Sequence, residues 1–152
     1  MKLLLVCVGK LRSEPLRVLC EEYLHRLQRY GACEIIEVAP AKAKQPPAAQ
    51  HEESARVLQL LAPADRVWVL DERGRAVSSV GLASNLKNLE NQSVKRLVLL
   101  LGGAYGFDEV VRRRGEAVSL SPLTFPHELC RLILLEQLYR ARTIQRGEPY
   151  HH

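Results

Sequence analysis

MKLLLVCVGKLRSEPLRVLCEEYLHRLQRYG, residues 1–31, contains one strand and one helix, and the change of period between them decides the fold class. Residues 3–8 are apolar almost without a break, the pattern of a parallel strand covered on both faces rather than a half-exposed strand that alternates. After Gly9 the period lengthens. Leu16, Leu19, Cys20, Tyr23, Leu24 and Leu27 recur at helical spacing, Ser13 is placed to cap, Glu14 and Pro15 suit a first turn, and Gly31 follows a basic last turn. A buried strand followed directly by an amphipathic helix is the opening of an α/β unit.

The same alternation continues along the chain. Strands are expected at about 34–38, 66–70, 95–101 and 117–120, and helices at about 51–61, from 79 onward, at 108–114 and at 127–145. Between the second strand and second helix, AKAKQPPAAQ (residues 41–50) reads as a loop, because paired prolines continue neither regular structure. Residues 71–75 read as a turn. With five strands, five helices, no repeat and no long linker, the 152 residues are expected to form one domain, residues 1–152, with a mostly parallel sheet of five to six strands and helices on both faces.

Composition narrows the classes of function. Lys and Arg number 22 against 17 Asp and Glu, a net charge of +5 that favours a polyanionic partner. No apolar run approaches the roughly 18 residues of a membrane span, and the opening run is too short for a secretory signal, so a cytoplasmic protein is expected, without a membrane partner. Cys7, Cys20, Cys33 and Cys130 form no CxxC pair, and one His127/Cys130 couple does not complete a metal site. They read as reduced, mostly buried thiols, and no metal is expected. The run Arg112, Arg113, Arg114 reads as an exposed helix end.

In an open parallel sheet, ligands bind outside the carboxyl ends of the strands. Two segments there are unusual. Gly102, Gly103 and Gly106 in GGAYGF bring bare backbone to the end of a buried strand, either as a tight turn or as a loop against which a ligand's polar groups can lie. The pattern is not GxGxxG, it does not follow the first strand, and GxxxxGK[ST] is absent, so neither a nicotinamide cofactor nor nucleotide hydrolysis is supported. In SLSPLTFPHEL, Pro122 and Pro126 hold an extended path before the last helix. With Leu123 and Phe125 it is either a rigid connector or a wrap for an aromatic ring. The last helix is apolar on more than one stripe, as a core helix or a subunit interface would be.

Together, MKLLLVCVGK, LDERG, LLLGGAYGF, LSPLTFPHELCRLILLEQLYRA and the closing PYHH resemble the RlmH family of SPOUT methyltransferases over essentially the full length. The resemblance implies an enzyme that transfers a methyl group from S-adenosyl-L-methionine to N3 of a pseudouridine in 23S rRNA of the ribosome. It also implies a deep trefoil knot, here at about 94–146, and a homodimer in which RNA-facing residues of one subunit complete the site of the other. Carried over by motif, Leu70, Gly102, Gly103, Ser121, Pro122, Leu123, Thr124, Phe125 and Pro126 would enclose the cofactor. Tyr150, His151 and His152 look like the family's site-completing catalytic tail. His152 stands where the family more often has Arg or Lys, and a histidine supplies a cation only when protonated. Some group must accept the N3 proton; His127, Glu136, Arg140, Tyr150, His151 and His152 are the candidates. Two other readings share these residues: a noncatalytic ribosome-binding dimer of the same fold, and a related methyltransferase with a different RNA target.

Overall fold

In the computed structural model, which describes residues 1–152, the opening run forms β1 (Lys2–Val8) and α1 (Glu14–Gln28). Then come β2 (Cys33–Val38), α2 (Ala48–Leu58), β3 (Arg66–Ala76), α3 (Ser79–Asn91), β4 (Arg96–Leu101), α4 (Glu109–Arg114), β5 (Glu116–Ser119) and α5 (His127–Arg146). The strands make one five-stranded sheet in the order β2-β1-β4-β3-β5, and every pairing in it is parallel. The α/β class therefore holds, with five strands and no sixth.

The unbroken apolar strands are explained by the two cores. Leu3, Leu5 and Cys7 of β1 and Leu97, Leu99 and Leu101 of β4 point to one face, under α1, α3 and α5. Leu4, Val6 and Val8, with Val98 and Leu100, point to the other, under Val57 of α2 and Val111 of α4. Period-two alternation thus sends every side chain of residues 3–8 and 97–101 into one core or the other. Each fully buried leucine or valine contributes roughly 1.5–3 kcal/mol. Connections running toward β2 cross the α1/α3/α5 face and those running toward β5 cross the other, which gives all the crossovers one hand. α5 lies between α1 and α3 and packs on both.

Three local expectations are corrected. Helix α2 begins three residues early, at Ala48, because Pro47 takes the position before the first turn, where its missing N–H is no loss. Ser13 makes no side-chain cap; its N–H is instead held by the Glu128 carboxylate, 3.0 Å away. The turn expected at 71–75 is an excursion inside β3: Leu70 and Arg75 both pair with Val118, and residues 71–74 loop out between them. Gly74 permits this, since a Cβ there would lie 2.6 Å from the Ala117 carbonyl carbon.

Candidate active site

The adjacent strands β4, β3 and β5 deliver three segments to one edge of the sheet, where they enclose a cleft of about 530 Å³. Its walls are Leu70 and the excursion Asp71, Glu72 and Arg73; the glycine loop 102–106; and the segment after β5, ending in His127 and Cys130 of α5. Eight of the nine residues expected around a cofactor line it: Leu70, Gly102, Gly103, Ser121, Leu123, Thr124, Phe125 and Pro126. Pro122 does not, and its place is structural, keeping the chain extended between two lining residues.

The glycine loop is shaped by close approach. The Gly106 N–H donates to the Gly103 carbonyl (3.1 Å), Gly106 has φ +67°, and a Cβ on Gly102 would meet the Gly106 Cα at 3.0 Å. Helix α2 and the residues before it are strapped to the same loop. The Tyr105 hydroxyl donates to the Lys44 carbonyl (2.9 Å) and the Gln50 amide to the Tyr105 carbonyl (2.8 Å). Glu53 accepts from the Gly103 N–H (3.3 Å) and the Ala41 N–H (3.0 Å).

The segment after β5 is organised by its small hydroxyls. The Ser119 hydroxyl donates to the Ser121 carbonyl (2.9 Å), and the Ser121 hydroxyl accepts from the Leu123 N–H (3.0 Å). The Thr124 hydroxyl donates to Glu72 (2.5 Å), tying this segment to the excursion across the cleft. The lining is therefore part apolar (Leu70, Leu120, Leu123, Phe125) and part bare main chain, with charge at the excursion. There the Arg73 guanidinium grips both oxygens of Asp71, at 3.0 and 2.9 Å. These bonds hold the Asp71 carboxyl below the usual range against the opposing effect of burial, and Arg112 stands 3.8 Å away.

Behind the cleft, α5 fastens the β1–α1 connection. Arg131, buried to 3% exposure, donates to the Gly9 carbonyl (2.9 Å) and to Glu37 (2.5 Å). Glu128 accepts from the Arg12 and Ser13 N–H groups, which lower its pKa. His127 is the one member of the proton-acceptor set that lines the cleft; a Cβ on Gly9, at φ +85°, would come within 3.9 Å of its Nε2.

The tail residues lie elsewhere. Tyr150 packs edge-on against Tyr139 (4.8 Å between ring centroids) under the Arg140 guanidinium, and its hydroxyl donates to Glu136 (3.1 Å) and lies 3.2 Å from that of Tyr23. Burial, then the bonds to Tyr23 and Glu136, push its pKa well up, so the phenol keeps its proton and serves as a hydrogen-bond donor in this arrangement. His151 and His152 are exposed. Tyr150, His151, His152, Glu136 and Arg140 are all absent from the cleft of their own chain.

Other expectations hold or change. All four cysteines are free, and burial pushes the Cys7 and Cys33 thiols up to about 12, so both are inert. The arginine run is not one exposed helix end: Arg112 faces Asp71, Arg114 donates to the Ala62 carbonyl (2.7 Å), and Arg113 alone is solvated, beside Glu109. Sequence reading missed Asp71, Glu72, Arg73, Arg112 and Glu53. The usable signal was at Glu53, which shares helical spacing with Ala49 and Val57 and so put a carboxylate on the buried stripe of α2.

Comparison with known proteins places this site in context. The family model described as "Predicted SPOUT methyltransferase" matches residues 1–151. The chain is 41% identical over 152 residues to a Ribosomal RNA large subunit methyltransferase H of Pelobacter propionicus, covering 100% of both chains. It is 44% identical over 153 residues to the protein of the same name from Gloeobacter violaceus, covering 100% of this chain and 99% of that one. Among solved structures, the crystal structure of TrmJ from Z. mobilis ZM4 aligns with a TM-score of 0.49 and 14% identity, over 91% of this chain and 67% of that one.

Proposed function

The chain belongs to the SPOUT methyltransferases, and from that premise we propose that it methylates large-subunit ribosomal RNA, taking the methyl group from S-adenosyl-L-methionine and placing it on N3 of a pseudouridine in 23S rRNA. One observation carries the reading: eight of the nine residues that the family motif assigns to the cofactor, scattered from 70 to 126 in sequence, meet in one cleft at the carboxyl edge of the sheet.

The residues present fit such a cofactor. The cleft volume of about 530 Å³ lies within the range of roughly 300–1,000 Å³ typical of small-molecule sites. Leu70, Leu120, Leu123 and Phe125 offer apolar surface for a purine ring, the glycine loop and the 121–126 segment offer main-chain donors and acceptors, and Asp71 and Glu72 offer anionic acceptors to hydroxyl or ammonium groups. When bound, the cofactor supplies a methyl group on a sulfonium, ready for in-line displacement. The protein's work is then orientation and electrostatics. The glycine loop and the 121–126 segment hold the ligand from two sides, and the Thr124–Glu72 bond keeps those sides in register.

The RNA base must lose its N3 proton as the bond forms. Within one chain His127 is the titratable group of the acceptor set that borders the cleft. Tyr150, His151 and His152 reach a cleft only as the partner's residues in a homodimer. The outer surface of α1 leaves Val18 and Leu19 at 51% and 40% exposure beside the broad apolar α5, and a second copy would cover them. The proposal treats residues 1–152 as a single domain with a knot at about 94–146. It is supported by the path of the chain: β5 is the edge strand beyond β3, yet α5 lies between α1 and α3, so residues 120–126 must pass the β3–α3 junction to reach it.

Isothermal titration with S-adenosyl-L-methionine, followed by methylation of ribosomes purified from a strain lacking the gene, tests the reading. Binding and transfer of one methyl group to a pseudouridine, mapped by mass spectrometry, are expected. Absence of binding at millimolar cofactor would overturn it. Removing residues 150–152 should abolish transfer while leaving cofactor binding within about twofold.

A further inference from the structure

Four charged side chains are buried: Glu53, Asp65, Arg131 and Arg142. Three are ion-paired, Asp65 with Arg96, Arg131 with Glu37 and Arg142 with Glu90. Glu53, at 7% exposure, has no cation within salt-bridge distance; its partners are the Gly103 and Ala41 N–H groups. A carboxylate removed from water without a counter-ion is costly, and two main-chain donors compensate only part of that cost. Such an arrangement is expensive for folding and suited to fixing a backbone conformation.

The conformation it fixes is in the cleft wall. A trans peptide directs its N–H and C=O to opposite sides. With the Gly103 N–H turned toward Glu53, on the α2 side, the Gly102 carbonyl is turned away from Glu53, and Gly102 and Gly103 both line the cleft. Gly103 is also the position where a Cβ would strike the carboxylate, at 2.8 and 2.9 Å from its two oxygens. The second oxygen holds Ala41, so the same group joins the loop after β2 to the loop after β4.

We propose that Glu53 is a positioning residue of the cofactor site, holding the Gly102–Gly103 peptide so that its carbonyl is presented to the cleft as a hydrogen-bond acceptor for an amino or hydroxyl group of the ligand. The inference rests on the methyltransferase reading above. It acts through Gly103 and assigns Glu53 no contact with substrate.

The test combines Glu53→Gln, Glu53→Ala, Gly103→Ala and the double variant Glu53→Ala/Gly103→Ala in the full chain. Titration with S-adenosyl-L-methionine and S-adenosylhomocysteine gives affinity, urea denaturation checks folding, and the Gly103 amide resonance reports the hydrogen bond without any ligand. Glu53→Gln should remain folded, lose the downfield amide shift that a carboxylate acceptor imposes, and bind both ligands about tenfold more weakly, the order expected for one hydrogen bond to a charged group. Gly103→Ala should weaken binding in the native background, and the double variant should bind no worse than Glu53→Ala alone, because the clash and the hold vanish together. Unchanged affinity in folded Glu53 variants, an unmoved Gly103 resonance, or fully additive losses would overturn the inference while leaving the methyltransferase reading intact. Failure of the native chain to bind either ligand would overturn that reading and the ligand role with it.

Discussion

At the scale of single residues, the buried charges divide into those that hold the fold and those that shape the site. Asp65 illustrates the first. Its hydrogen bonds from Arg96 (2.7 and 2.5 Å) outweigh burial and lower its pKa below the ordinary 3.8. A carboxyl depressed in the folded state contributes stability that is fully present above its unfolded pKa and is lost as pH falls through the folded value. Arg96→Met leaves Asp65 buried without its cation, and a loss of about 3 kcal/mol at neutral pH is expected in urea denaturation. The same variant should show a shallower fall of stability below pH 4 than the native chain. An acid limb of unchanged steepness would mean that Asp65 is not part of it. Glu53 was legible in the sequence as a charge on a buried helical stripe. Asp71, Glu72 and Arg73 were not legible as site residues, because a polar run between strand and helix looks the same whether it faces solvent or a cleft.

At the scale of elements, period and composition found every strand and helix, with ends displaced by up to three residues. The exception is β3, which continues beyond its expected end to Ala76. Its excursion depends on pairing with β5 on both sides of the four looped residues, a long-range contact that no local pattern encodes. Gly74 is the hinge of this arrangement, with a would-be Cβ 2.6–2.8 Å from the backbone of Ala117 and Val118. Gly74→Ala should therefore force β3 and β5 apart and destabilise the protein by roughly 1–3 kcal/mol in urea denaturation. Because Asp71 to Arg73 would shift with it, cofactor affinity should fall as well. Full stability in Gly74→Ala would show that the two strands have room the structure does not provide.

At the scale of the whole molecule, charge and apolar surface point to assembly. The net charge of +5 is doubled in a dimer, and binding to a polyanionic ribosome should weaken steeply with salt. Sedimentation velocity on the native chain should give a dimer. Leu19→Lys, at an exposed position of α1 that costs the fold little, should shift it toward monomer and reduce methylation more than cofactor binding. A native monomer would leave the tail residues without a cleft to complete. The sequence by itself determined the α/β class, the parallel sheet and the segments at its carboxyl edge, since hydrophobic period and the glycine and proline positions are local consequences of backbone sterics and burial. Only the tertiary structure decided that those segments share one cleft, that Arg112 turns into it, that Glu53 bonds to the glycine loop and that residues 150–152 lie away from that cleft. Those facts depend on which strands become neighbours and on how α5 returns across the sheet, and such contacts join residues far apart in the chain.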